Sequence, residues 1–329
     1  MKENTRVIML MLDGFGVPPE GWDNSLYAKY CSKQFIELFK KHSQPIDACL
    51  GIPGLPQSAT GQTTLFTGYN GADIMGEHMP GFPDPLLRDA IRDRNIFSSL
   101  ENANYTVTFA NAYVRYSAAE LRKTRFRSVT TIMTEGIFGS IRRKADLIDH
   151  YAIYHDITRE SLQAGEVAVG RQKFKMEPPF PELITPAQGA RDLMKIARTY
   201  DFTLFEYFMT DRAGHSEDAA KVASVLADID EFICTLQNEM CHNTILVLCA
   251  DHGNIEDPTT GKHTDNPVPL LVYGDNTPDK IPVESLTDVH GFIVDMMLKL
   301  NNPDKEVPED PNDHYESENF VSDNPFSTF

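Results

Sequence analysis

The stretch Val7-Ile8-Met9-Leu10-Met11-Leu12-Asp13-Gly14-Phe15-Gly16 runs through six apolar residues and then breaks at an aspartate and two glycines. An apolar run of this length, closed by a turn signal, predicts a strand buried on both faces. The pattern recurs twice. Phe202–Met209 leads through Thr210 to Asp211 in D-R-A-G-H, and Ile245–Ala250 leads to Asp251 in D-H-G. A fourth run covers Val268–Tyr273, and amphipathic stretches at Leu26–Lys41, Glu217–Asn238 and Leu286–Leu300 predict helices. Strand–helix alternation of this kind predicts an α/β core with a mostly parallel central sheet flanked by helices. Ligands of such sheets bind outside the carboxyl ends of the strands, where the three aspartates would converge.

The rest of the chain follows from its length and charge. With 329 residues and 41% hydrophobic content, the protein has material for a real core and more than one domain. The net charge of -18 disfavours nucleic acid and anionic membranes as partners. That charge is uneven: residues 75 to 190 hold 15 basic against 14 acidic side chains, whereas residues 301–329 hold eight acids and one lysine. The middle segment reads as strand-like at Tyr105–Ala110, Ser128–Thr134 and Glu166–Val169 among Arg-rich stretches, with Pro178, Pro179, Pro181 and Pro186 at its exit. The expected organisation is a discontinuous core over 1–75 and 191–300, a smaller inserted α+β cap domain over 76–190, and an acidic, solvated tail over 301–329. Five cysteines, Cys31, Cys49, Cys234, Cys241 and Cys249, form no C-x-x-C pair and suit a reducing compartment. The run at Val7–Leu12 is too short for a signal peptide or a membrane span, so a soluble, cytoplasmic protein is expected.

Two of the strand-end aspartates bring histidines. Asp211 and His215 are four apart, Asp251 and His252 are adjacent, and His263 follows in G-K-H-T before the next strand. Carboxylate oxygen with imidazole nitrogen is the ligand mix of zinc, manganese and related divalent ions, and the absence of cysteine argues against a purely structural zinc. Each piece alone has a bland explanation: a turn for Asp13, a helix N-cap for Asp211, a surface position for His263. Their coincidence at one sheet edge favours a metal.

The segment Gly54–Gly68, G-L-P-Q-S-A-T-G-Q-T-T-L-F-T-G, places a small hydroxyl where a loop turns into a predicted helix. A helix N-terminus offers free N–H donors and the positive end of a dipole, which suits a phosphate or an alkoxide. Ser58, Thr60 and Thr63 are the candidate hydroxyls.

Taken together, Asp13 in D-G-F-G, the S-A-T-G loop, the D-x-x-x-H of Asp211 and His215, the Asp251-His252 pair and His263 in H-T-D-N-P-V-P resemble the alkaline phosphatase superfamily. Within it the likeness is to cofactor-independent phosphoglycerate mutase and phosphopentomutase, over residues 1 to 75 and 195 to 300. The resemblance implies two divalent ions, Zn or Mn. Asp13, Ser58, Asp251 and His252 would hold one, and Asp211, His215 and His263 the other, with Ser58 as the nucleophile that forms a phosphoserine. It also implies a small phosphorylated substrate and phosphomonoesterase or phosphomutase activity. Ser58 is preferred to Thr60 because it stands four residues before Gln62, the slot where the mutases carry histidine. Gln62 is a departure from that pattern.

Thr60, Gln62, Arg88 and Arg115 are the expected substrate contacts, with Arg92, Arg122, Arg125 and Arg127 as further cations of the cap. A sulfatase is disfavoured because no C/S-x-P-x-R motif surrounds Ser58, and dinucleotide binding because no G-x-G-x-x-G follows the first strand. The competing expectation is a non-catalytic phospho-ligand binding protein on the same fold, which would be expected to have lost ligands.

Overall fold

In the computed structural model, which describes residues 4–124, 127–137, 141–163, 165–169 and 172–301, the apolar runs lie side by side. The central sheet has six strands: β1 (Arg6–Leu12), β2 (Ser43–Ile46), β3 (Val107–Phe109), β4 (Phe202–Tyr207), β5 (Thr244–Ala250) and β6 (Val268–Tyr273), in the order β2-β6-β5-β1-β4-β3. β1 runs parallel to both β4 and β5, and β3 parallel to β4, while β6 is antiparallel to β5 and to β2. Leu12 is in register with Tyr207 on one side and Ala250 on the other. This register sets the function, because the chain leaves three neighbouring strands at one level.

Both faces of the strands are covered, so nearly every residue of β1, β4 and β5 is buried. Each fully buried Val, Leu, Ile or Phe contributes about 1.5–3 kcal/mol relative to exposure. Helices Ser58–Thr67, Pro85–Asp93 and Leu286–Asn301 pack together, and Pro186–Ala197 packs on Ala219–Glu239. The predicted helix Leu26–Lys41 is two helices, Leu26–Tyr30 and Lys33–His42, because Ser32 interrupts it and accepts a hydrogen bond from Phe35 N as the N-cap of the second. Among the described residues, no helix is long and apolar enough to cross a membrane.

One sequence expectation changes in the middle segment. Ser128–Thr134 reads as a strand because of its β-branched Val129, Thr130, Thr131 and Ile132, but Val129–Glu135 is a helix. Ser128 caps it by accepting from Thr131 N, and Thr134 Oγ1 donates to the carbonyl of Thr130 inside it. Tertiary burial of six of its seven residues overrides their β preference. The segment over 76–190, expected as an inserted cap, shares packing with the core. β3 lies in the central sheet, and Ile91, Phe97, Leu100, Val129, Met133 and Ile157 pack into the main core. A separate small cluster is built by Leu147, Ala152, Tyr154, Leu162 and Met176. The antiparallel pair Glu166–Val169 and Gln172–Lys175 includes the strand expected there. Arg125 and the acidic tail beyond Asn301 lie outside the described residues.

Candidate metal centre

Asp13 and Asp251 are the first residues past β1 and β5, and Asp211 lies on the short helix Met209–Gly214 that follows β4. The turn after β1 has little freedom. Gly14 has φ +67, and a Cβ there would stand 2.9 Å from the Cα of Asp211, so only glycine lets the two loops meet. Phe15 then anchors the turn by packing on Tyr27 and Phe39, at centroid distances of 4.6 and 5.5 Å. The Tyr27 hydroxyl donates to Gly16 O at 2.9 Å.

Two groups of side chains result: Asp13, Asp251 and His252 in one, and Asp211, His252 and His263 in the other, with potential ligand atoms in each group within 4.8 Å of one another. His252 joins them. Its Nε2 stands 3.2 Å from Asp13 Oδ1 and 3.7 Å from Asp251 Oδ2, and its ring stacks on that of His263 at 3.8 Å. His215 completes the second group, with Nε2 at 3.3 Å from Asp211 Oδ1 and 3.0 Å from His263 Nε2. The six aspartates and histidines expected from sequence as ligands therefore meet at one edge of the sheet.

Ser58 is the first residue of the helix Ser58–Thr67, and Gln57 holds the N-cap position. The serine hydroxyl lies 3.0 Å from His252 Nε2. Gly61 allows this approach, since a Cβ there would fall 2.6 Å from the carbonyl oxygen of Asp251. Thr63 Oγ1 is turned inward to Ala59 O, and Thr60 Oγ1 to Gln57 O, so neither competing hydroxyl shares the position of Ser58.

The donor set fits divalent ions. His215 Nδ1 is bound to Gly261 O at 2.8 Å and His263 Nδ1 to Pro56 O at 2.7 Å. Carbonyls only accept, so these contacts place the ring protons on Nδ1 and leave the two Nε2 lone pairs facing each other and Asp211. Lone pairs converging in this way need a cation between them. Asp13 Oδ1 is buried and meets no hydrogen-bond geometry, and its charged neighbour is His252 Nε2 at 3.2 Å, so the oxygen is placed for a cation. Burial, followed by the charge of Asp251, drives the Asp13 carboxyl well above its ordinary range. Burial would raise Asp211 too, but the neighbouring His263, the charge of His252 and the hydrogen bond from Asn254 hold it down at about 2. Burial opposes charge on His252, yet Asp251 and Asp13 lift it to about 10.

A cavity of about 390 Å³ opens above Ser58, lined by Leu55, Gln57, Pro80, Asp211, His215 and Lys262 among others. Among the described lining residues Lys262 is the one lysine or arginine. Thr60, Gln62, Arg88 and Arg115 do not line it. Thr60 and Gln62 are buried within their helix. Arg88 Nε donates to Pro83 O, and the Arg115 guanidinium lies over Phe174. Arg92 pairs with Asp89, Arg127 pairs with Glu135, and Arg122 is exposed.

Sequence reasoning missed three supporting residues. Asn254 Nδ2 donates to Asp211 Oδ1 at 2.6 Å. Glu256 accepts from Gly16 N at 2.9 Å, from Asn254 N at 2.8 Å and from the Thr264 hydroxyl, tying the turns after β1 and β5 to the loop bearing His263. Both belong to the run D-H-G-N-I-E, whose polar residues at a buried strand end were the available signal. Glu206, in β4, accepts from Thr130 Oγ1 at 2.6 Å. Nothing in an otherwise apolar run announced it.

Residues 184–300 match the family model described as the Metalloenzyme superfamily. The 2,3-bisphosphoglycerate-independent phosphoglycerate mutase of Paracoccus denitrificans is 30% identical over 125 residues, which are 36% of this chain and 25% of that protein. The chain thus matches about a quarter of the length of this relative. Among solved structures, the PH0037 protein of Pyrococcus horikoshii aligns with a TM-score of 0.55 at 13% identity, over 94% of this chain and 100% of that one. The alkaline phosphatase of the Antarctic bacterium TAB5 aligns with a TM-score of 0.53 at 15% identity, over 90% and 99%. At such identities the structures speak for the fold. With the family match over residues 184–300 and the ordered strand-end motifs, they support an alkaline phosphatase superfamily metalloenzyme.

Proposed function

We propose that this protein is a phosphoryl-transfer enzyme that uses two divalent ions, Zn or Mn, to act on a small phosphorylated metabolite through a phosphoserine at Ser58. The observation that carries the reading is the position of the Ser58 hydroxyl, 3.0 Å from His252 Nε2, where the two groups of potential ligands meet beneath an open cavity. Asp13, Ser58, Asp251 and His252 would hold one ion, and Asp211, His215 and His263 the other. Bound divalent ions supply charge neutralisation for the phosphoryl oxygens and lower the pKa of a coordinated hydroxyl.

The chain's own residues supply the rest. Ser58 Oγ gives up its proton to solvent and forms a bond to phosphorus, while the ester P–O bond breaks and its electron pair leaves with the alcohol oxygen, which takes a proton from water. The positive end of the Ser58–Thr67 helix favours the anionic group at this point. The phosphoryl group then passes to water in a phosphatase, or to another hydroxyl of the retained product in a phosphomutase. The 390 Å³ cavity lies near the lower end of the roughly 300–1,000 Å³ typical of small-molecule sites, which supports a compact substrate. Lys262 is placed to meet an anionic oxygen of that substrate.

Metal analysis and a screen of phosphorylated sugars, glycerates and other small monoesters test the proposal on wild type and on Ser58→Ala. Wild type is expected to bind divalent metal and turn over at least one monoester, with phosphate release marking a phosphatase and a rearranged monoester marking a mutase. Ser58→Ala is expected to lose about 10³-fold or more in kcat with its fold retained. A wild-type protein without metal, or a Ser58→Ala variant with full activity, would sink the reading.

A further inference from the structure

We propose that Gln62 is a positioning residue of the metal centre, whose amide gathers the carboxylates of Asp13 and Asp251 and leaves one Asp13 oxygen turned toward the cation. The inference rests on the reading that Asp13, Asp251, His252 and Ser58 hold a divalent ion. It departs from the substrate contact expected for Gln62 from sequence.

Gln62 is 4% exposed and does not line the cavity above Ser58. Its Nε2 lies 3.0 Å from Asp251 Oδ2 and 3.4 Å from Asp13 Oδ2. One amide nitrogen carries two hydrogens, so a single group can donate to both carboxylates. The remaining oxygens are divided unequally. Asp251 Oδ1 accepts from Gly14 N at 3.2 Å, whereas Asp13 Oδ1 accepts nothing and faces His252 Nε2 at 3.2 Å. Three of the four oxygens are thus engaged, and the fourth is the one presented to the ligand cluster.

Neutrality is the chemical reason for an amide here. Two buried carboxylates repel each other, and that repulsion must be offset for the pair to stay together without a metal. A lysine or arginine would do this but would also cancel the charge that attracts the cation. The amide donates to both carboxylates and leaves their full negative charge in place. Because Gly61 lets the helix lie against the backbone of Asp251, the next side chain reaches the pair from the buried side, beneath the ligands.

The test titrates full-length wild type, Gln62→Leu, Gln62→Asn and Gln62→His with Mn²⁺ by calorimetry, alongside circular dichroism, thermal melts and KM for p-nitrophenyl phosphate at saturating Mn²⁺. Gln62→Leu removes the donor at nearly constant volume, and its Mn²⁺ affinity is expected to fall about 10–100-fold, with KM unchanged. Gln62→Asn withdraws the amide by one methylene and carries the same expectation, so the test survives if the leucine variant does not fold. Gln62→His returns an N–H donor and should recover most of the lost affinity. Unchanged Mn²⁺ affinity with a raised KM would return Gln62 to the substrate, and a lowered melting temperature with unchanged affinity would reduce it to a structural role. Either result overturns the proposal. Failure of wild type to bind Mn²⁺ would defeat the metal-centre reading itself, which is a distinguishable outcome.

Discussion

His252 Nε2 lies 3.2 Å from Asp13 Oδ1, and the His252 side chain is 0% exposed. His215, in contrast, has 42% of its side chain exposed. Residues of the same type at one centre therefore carry different structural burdens. In the metal-free protein, His252→Ala leaves Asp13 and Asp251 buried without their partner, and breaking a buried charge pair costs about 3–5 kcal/mol. His215→Ala deletes a half-exposed ring and is expected to cost under about 1 kcal/mol, in the range of surface changes. Chemical denaturation of the two metal-free variants should show this separation, while metal titration should show weakened binding in both. Equal stability losses would contradict the burial difference.

Gly61→Ala tests the close approach of the serine-bearing helix to β5. Its Cβ would lie 2.6 Å from the carbonyl oxygen of Asp251, so the helix must shift or strain. Overpacking of this kind costs about 1–3 kcal/mol. Any shift also moves Ser58 relative to His252, so the expected result is a combined loss of stability and turnover. Wild-type melting and activity in Gly61→Ala would show that the contact is slack.

Glu206 gives a prediction with a defined sign in pH. Burial first, and then the charge of Asp251, raise its carboxyl to about 7, against the opposing hydrogen bond from Thr130. For an acid whose folded pKa exceeds its unfolded value, the proton is held more tightly in the folded chain, so stability falls as pH rises from about 4.3 through 7. Glu206→Gln keeps the shape and cannot ionise. Metal-free Glu206→Gln should melt like wild type near pH 4 and be more stable by about 3–4 kcal/mol at pH 8. A pH-independent difference would show that Glu206 does not ionise across this range.

The candidate ligands were legible because each sits next to a local signal. Asp13 and Asp251 directly follow continuous apolar runs, and Asp211 and His215 share one turn after another. Secondary structure failed where composition and burial disagree, as in Val129–Glu135, whose β-branched residues are held in a helix by the core around them. The middle segment looked separate because its charge balance differs from the rest. Charge reports on surface, however, and β3 joined the central sheet through backbone bonds and an apolar interior that charge does not register.

Sequence alone determined which residues gather at the carboxyl edge of the sheet, because alternating elements and parallel strands leave little choice about where a strand-end residue goes. Tertiary structure decided what each neighbouring side chain does there. Gln62 meets Asp251 across 189 residues of chain, while Arg88 donates to Pro83 O and Arg115 lies over Phe174 instead of lining the cavity. Strand ends follow from periodicity, which is local, whereas a side chain's partner depends on how distant segments pack, and no local pattern encodes that.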